Sequence, residues 1–217
     1  MRVLITGSSN GIGRAITEKF TKNGHDVFGL DLSPSDFSEH NYTHFIADVR
    51  NPENLPDICD VQILVNNAGV QTNSLDDINT NLIGVINTTK KYGLHPKITS
   101  ILNVVSASAH SGSEFPYYAA SKGGVLSYTK NVALEIAKWG AVCNSISPGG
   151  VLTALNTPVI DDKEKWELIM NETLLRKWAE PEEIAEWAYF ITVVNRSMTA
   201  EDILIDNGEI AKANFIW

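Results

Sequence analysis

The chain has 217 residues, 43% of them hydrophobic, and 26 acidic against 17 basic side chains give it a formal charge of −9. That composition fills the core of one large domain, and the absence of any basic run excludes the footprint of a nucleic-acid binder. No apolar run approaches bilayer-spanning length and the opening "MRVLITG" reads as a strand, so membrane partners are excluded and a cytoplasmic location is expected. Cys59 and Cys143 belong to no Cys-x-x-Cys or Cys/His cluster. They suit a reducing compartment, offer no metal site, and read as small core residues.

The first predicted strand, "RVLIT", runs into "TGSSNGIG" (residues 6–13) and a helical pattern over 12–23. Gly7, Gly11 and Gly13 let the backbone turn tightly and approach a pyrophosphate, with Ser9, Asn10 and Ile12 completing the turn at a helix N-terminus that attracts anions. A plain strand–helix turn would use the same glycines; the place straight after the first strand favours a nucleotide.

The second strand, "DVFGLD", ends at Asp31, 18 residues after Gly13, near the spacing at which a carboxylate meets the adenosine ribose hydroxyls. Its charge repels a 2′-phosphate, and neither Ser8, Ser9 and Asn10 nor Leu32 and Ser33 supplies a cation, so NAD is expected rather than NADP. Alternatively Asp31 caps the turn "DLSPSD".

"THFIAD" leads to Asp48-Val49, and "VQILVN" to Asn66-Asn67-Ala68-Gly69, where small residues allow close approach at a strand's carboxyl end. Only 18 residues separate Asp48 from Asn66 and 14 separate Asn67 from Asn81, so the helix after the third strand is expected to be vestigial and the next to begin late, near Leu75. Asn81 falls in the helical pattern 79–93, where a local hydrogen bond is its plain alternative to a functional role. "ITSILNVVS" ends at Ser106, with Ser108 and Ser111 as rivals for a hydroxyl at that strand end. On the helix 117–138, Tyr118 and Lys122 share one face at i and i+4, whereas Tyr117 meets Ser121.

After "AVCNSIS" come Pro148-Gly149, Val151 and Thr153, then a mixed apolar and acidic stretch through residue 178. That stretch reads either as a lid with an apolar underside or as an amphipathic helix packed on its own domain. His110 reads as a solvated loop histidine or a substrate contact. A helix over 181–194 and the strand "DILID" follow, with Asn207 and Gly208 able to make a tight turn. Strand and helix alternate without repeat or linker. The prediction is a single α/β domain over 1–217, a Rossmann-like doubly wound parallel sheet of about seven strands with helices on both faces, binding ligands at the strands' carboxyl ends.

Seven motifs stand in one order: Thr6-Gly7-x-x-x-Gly11-Ile12-Gly13, Asp48-Val49, Asn66-Asn67-Ala68-Gly69, Asn81, Ser106, Tyr118-x-x-x-Lys122 and Pro148-Gly149-x-x-x-Thr153. On these the chain resembles the short-chain dehydrogenase/reductase family, of the type called classical. The resemblance implies an NAD-dependent oxidoreductase that interconverts a secondary alcohol and a ketone. It implies Tyr118 as general acid/base, Lys122 lowering the Tyr118 pKa and bonding the nicotinamide ribose, Ser106 holding the substrate oxygen, and Asn81 extending a proton relay. Asp48 and Val49 would line the adenine pocket, Asn67, Ala68 and Gly69 would border the cofactor, and Val151 and Thr153 would meet the carboxamide. It further implies a small-molecule substrate chosen by residues 107–117 and 153–178, and a homo-oligomer, dimer or tetramer, paired through the helices of Asn81 and Tyr118. Competing readings are a catalytically silent NAD-binding sensor or scaffold, and a sugar-nucleotide epimerase, whose glycine spacing and greater length fit less well.

Overall fold

The computed structural model describes residues 1–113 and 115–211; position 114 of the predicted loop 107–117 and residues 212–217 lie outside the described residues. Seven strands form one sheet: β1 (Arg2–Thr6), β2 (Asp26–Asp31), β3 (Tyr42–Ile46), β4 (Ile63–Asn66), β5 (Ser100–Val104), β6 (Val142–Pro148) and β7 (Asp202–Ile205). All pairings are parallel, in the order β3-β2-β1-β4-β5-β6-β7. Chain order reverses at β1, so the doubly wound expectation holds and the ends of β1 and β4 face the crevice where such sheets bind ligands.

The central strands are apolar throughout because both faces are covered. Val3, Ile5, Ile63 and Val65 pack with Ile16 and Phe20 of α1 (Gly11–Lys22) and, near the chain's end, Ile184 and Ala188. Leu4, Leu64 and Ile101 pack on the other face with Tyr92, Val132 and Ile136. Each strand alternates between these two cores at its natural period of two.

As expected, the segment after β3 holds only a single 3₁₀ turn, Pro52–Asn54, and the next helix begins at Leu75. That helix runs as α2 (Leu75–Ile78), widens into a π-helical turn at Asn79–Ile83, and continues as α3 (Gly84–Tyr92). The short α4 (Ser108–Ser111) precedes α5 (Pro116–Ile136). Between β6 and β7 lie α6 (Thr157–Ile160), α7 (Lys163–Glu172) and α8 (Pro181–Tyr189), the last followed by a π-helical turn, Phe190–Val194. Asn207 and Gly208, at φ 54° and 82°, make the expected tight turn after β7.

One core assignment fails. Cys143 is buried, but Cys59 is exposed, because Leu55, Ile58 and Val61 take the inward positions of the irregular stretch before β4. Among the described residues no helix is long and apolar enough to cross a membrane, and no cluster of His, Cys, Asp and Glu could hold a metal ion.

Candidate active site

The glycine turn is closed by backbone contacts. Gly7 adopts φ +67°, a conformation that side-chain-bearing residues rarely take. A Cβ on Gly13 would lie 1.9 Å from the Gly7 carbonyl oxygen, and one on Gly7 would lie 2.8 Å from Ala68 Cα. Asn67 staples the turn to the end of β4: its Nδ2 donates to the carbonyls of Thr6 and Gly7 at 3.1 and 3.0 Å. Thr6, the first residue of the glycine motif, accepts the N–H groups of Asn67 and Ala68 on its Oγ1, each at 3.0 Å.

The N-terminus of α1 has neither a side-chain hydrogen bond from its cap, Asn10, nor an acidic residue in its first turn. Its helix dipole is left uncompensated beside the cradle. Thr153 closes the far side, its Cγ2 3.2 Å from the place a Cβ of Gly11 would take. The cradle therefore fits a dinucleotide pyrophosphate: the uncapped N-terminus of α1 opens it, and the close approach at Gly7, Gly13 and Ala68 leaves no room for larger side chains.

At the carboxyl end of β2, beside the glycine turn, Asp31 accepts the Ser9 N–H on Oδ2 and the Ser33 N–H on Oδ1, both at 2.9 Å. It thus caps the turn and is held between phosphate loop and β2 end, while Leu32 is exposed. Arg14, a cation the sequence reading did not weigh, lies over the Phe37 ring at 4.6 Å and is paired with both Glu18 and Asp36. Asp48 is gripped by Arg50, with Nη2 to Oδ2 at 2.8 Å, and this hydrogen bonding holds its carboxyl below the usual range. A cleft of about 300 Å³ opens beside it, lined by Arg50, Asn51, Asn79 and Ile83. Val49 is buried, and its Cγ2 would lie 2.6 Å from a Cβ on Gly84.

Asn81, Ser106, Tyr118 and Lys122 converge at the ends of β4 and β5. Asn81, fully buried in the π-helical turn, accepts the Val70 N–H at 2.8 Å and donates to the Val70 carbonyl at 2.9 Å and to Ser121 Oγ at 3.1 Å. Gly69 lies between Asn81 and Lys122: a Cβ there would be 3.1 Å from Asn81 Oδ1 and 3.5 Å from Lys122 Nζ. Ser121, the residue that appeared only as the partner of Tyr117, in fact ties Asn81 to the Tyr118 carbonyl, donating to it at 2.7 Å.

Lys122 donates to the Val104 carbonyl at 2.8 Å, with Nζ 5.7 Å from the centroid of the Tyr118 ring. Its burial pushes its pKa down to about 8. Burial pushes the Tyr118 phenol up, against a hydrogen bond from Ser106, and Asp77 adds to the rise. In the chain alone burial is the largest influence on Tyr118 and raises its pKa, and the expected lowering by the ammonium does not show there. Asp77, fully buried, was invisible to motif reading; it accepts the N–H groups of Thr72 and Asn73 at 2.7 and 2.9 Å.

Of the rival serines, Ser106 is the one that acts on the Tyr118 phenol, drawing its pKa down against burial. Ser108 instead opens α4 and donates its N–H to Ser106 Oγ at 3.2 Å. His110 is exposed, as a solvated loop histidine would be, yet it has a charge partner: its Nε2 meets Asp202 Oδ2 at 2.8 Å and Ser147 Oγ at 3.2 Å. The loop after β6 brings Val151 into a backbone bridge with Ala179, while Pro148 accepts the Ala107 N–H at 2.8 Å. Gly149 donates to the Ile205 carbonyl at 3.0 Å.

A doubly wound sheet, a glycine cradle that fits a pyrophosphate and a Tyr/Lys/Ser/Asn cluster beside it define a nucleotide-dependent oxidoreductase. The short chain dehydrogenase family matches residues 1–164, and the chain belongs to that family. It is similar to the 3-oxoacyl-(acyl-carrier-protein) reductase of Chlamydia pneumoniae, 30% identical over 239 residues that cover 95% of this chain and 96% of that protein. It is likewise similar to the 2-dehydro-3-deoxy-D-gluconate 5-dehydrogenase of Bacillus subtilis (strain 168), 30% identical over 218 residues, covering 87% and 85%. Among solved structures, the ligand-free aldohexose dehydrogenase of Thermoplasma acidophilum superposes with a TM-score of 0.86 at 26% identity, covering all of this chain and 96% of that one. Use of a nicotinamide cofactor follows from the family.

Proposed function

We propose that this chain, as one domain over residues 1–217, is an NAD-dependent dehydrogenase that interconverts a secondary alcohol and a ketone. The observation that carries the reading is the convergence of Asn81, Ser106, Tyr118 and Lys122 beside the glycine cradle. Gly7, Gly11, Gly13, Ser9, Asn10 and Ile12 would hold the pyrophosphate, Asp31 and Leu32 the adenosine ribose, and Asp48 and Val49 the adenine. Asn67, Ala68, Gly69, Pro148, Gly149, Val151 and Thr153 would border the nicotinamide half, with Tyr118 and Lys122 at its ribose. Bound there, the dinucleotide supplies the hydride donor or acceptor.

Ser106 orients the substrate oxygen and stabilises charge developing on it. Tyr118 exchanges a proton with that oxygen at its Oη. Because burial raises its pKa, Tyr118 in the chain alone is a phenol, the form that donates to a carbonyl oxygen. In this form Tyr118 can donate its proton to a carbonyl oxygen in reduction and must give it up before accepting one in oxidation, so oxidation gains as pH rises. Lys122, at about 8, keeps its charge at neutral pH and loses it above.

Support for NAD over NADP comes from Asp31 and from the pairing of Arg14 with Glu18 and Asp36, which leaves little positive charge for a 2′-phosphate. Relatives act on acyl thioesters and sugar acids by their names, so β-keto thioesters and polyols lead the candidate substrates. The segment 153–178 would cover the substrate. A cytoplasmic homo-oligomer completes the reading, consistent with the free thiols of both cysteines.

The test is a screen of NAD reduction by absorbance across steroids, polyols, hydroxy acids and acyl-thioester alcohols. Tyr118→Phe should lower turnover by about 10³-fold while NADH still binds. Near-wild-type turnover in that folded variant would sink the mechanism, and binding without activity on any class would favour the sensor reading. Equal efficiency with NADP would remove the argument from Asp31.

A further inference from the structure

His110, Asp202, Ser145 and Ser147 form a polar cluster that none of the roles above uses. The Asp202 carboxylate, its side chain 13% exposed, accepts Ser145 Oγ at 2.5 Å and Ser147 Oγ at 3.0 Å from β6. Its third donor is His110 Nε2 on α4, at 2.8 Å. A carboxylate only accepts, so Nε2 carries the proton, in the neutral ring as in the charged one.

The helix that His110 belongs to has four residues, none of them buried, and ends on Gly112 at φ +64°. A helix of this length has no stability of its own. Its segment is tied down by the Ala107 N–H to the Pro148 carbonyl at 2.8 Å, by Ala109 packing against Val105 and Val125, and by the bonds from His110 to Asp202 and Ser147. The same helix opens with the Ser108 N–H that donates to Ser106 Oγ at 3.2 Å. That bond occupies one acceptor position of the Ser106 hydroxyl and leaves its proton and remaining lone pair for Tyr118 and a substrate oxygen.

We propose that His110 is a positioning residue: by bonding Asp202 it fixes α4 so that the Ser108 N–H aims the Ser106 hydroxyl at Tyr118. The proposal rests on the reading of Ser106 and Tyr118 as the proton-handling pair. It also gives Asp202 a task, since a partly buried carboxylate needs its oxygens satisfied, and here three side chains from two elements meet on it.

The test uses the full chain in four forms: His110→Ala, His110→Gln, Ser106→Ala and the double variant His110→Ala/Ser106→Ala. Gln places an amide N–H near the position of Nε2. In the cofactor-free protein, His110→Ala should raise the hydrogen-exchange rate of the amides of residues 108–112 by about tenfold, and His110→Gln should restore it. In NADH-dependent reduction of a β-keto ester such as ethyl acetoacetate, His110→Ala should lower kcat by about tenfold with the NADH KM unchanged, and Gln should recover most of it. In the Ser106→Ala background the same substitution should add no further loss. Unchanged exchange in His110→Ala, or an equal kcat loss with and without Ser106, would overturn the proposal. Full turnover in Ser106→Ala and Tyr118→Phe would instead overturn the catalytic reading, which the exchange result does not touch.

Discussion

Gly13 has no room for a methyl group, with a backbone oxygen 1.9 Å from where it would sit, whereas α7, ten residues of the segment 153–178, buries only Met170. The glycine turn is fixed by atoms that cannot rearrange: backbone of β1 and α1, the Asn67 staple, and Thr6 Oγ1. The segment 153–178 turns Leu155, Leu168, Leu174 and Leu175 outward; it has an internal edge contact between Trp166 and Trp178 at 5.1 Å and is anchored by the Leu175 N–H to the Asn207 carbonyl at 3.1 Å and by backbone bonds between 150–152 and Ala179 at its ends. Few buried contacts mean a low local opening energy. The difference teaches that the glycine turn is tightly fixed, while the segment proposed to cover the substrate is loosely held.

The largest expected effect falls on the turn. Gly13→Ala should destabilise the fold by about 3 kcal/mol, since the backbone of Gly7 must move to admit the methyl; urea denaturation measures it, and a loss under about 1 kcal/mol would break the comparison.

The next effect has the opposite sign. Lys122 is buried with its pKa pushed down to about 8, so below that pH the folded chain carries a desolvated ammonium that the unfolded chain does not. The unfolded state binds more protons between about 8 and 10.5, and stability contributed by this group therefore rises with pH across that window. Lys122→Met should remove the penalty and stabilise the cofactor-free protein at pH 7 by about 2 kcal/mol, or roughly 4–8 °C in Tm, while losing activity. The gain should shrink toward pH 10.5, and a Met variant less stable than wild type at pH 7 would show that the Val104 bond outweighs the burial.

The smallest effect sharpens the contrast from the other side. Leu168→Ser, on a side chain 64% exposed, should change stability by less than about 0.5 kcal/mol. A larger loss in thermal unfolding would mean that α7 is packed, against its described exposure.

Much of the site was legible because it is local. "TGSSNGIG", Tyr118-x-x-x-Lys122 and the near-continuous apolar strands each encode geometry within a few residues, where period and turn chemistry dictate direction. The parallel sheet and its switch point at β1 followed from strand and helix alternating. The choice between Ser106 and Ser108 was not legible, since both follow one strand within two residues and only the packing of α5 decides which hydroxyl reaches Tyr118. Cys59 was misread because an irregular stretch has no period to say which residues turn inward. The charge partner of the exposed His110 was not legible, because Asp202 stands 92 residues away.

By itself the sequence determined the doubly wound class, the glycine cradle and the register that separates Tyr118 from Tyr117, since these rest on local backbone preference and side-chain spacing. Tertiary structure alone decided the electrical state of the site. Burial, which no spacing encodes, raises the Tyr118 phenol and brings Lys122 down to about 8. It also decided which distant side chains, Asp77, Asp202 and Thr6, hold the local motifs in place, because a hydrogen bond closes in space between residues that the chain keeps far apart.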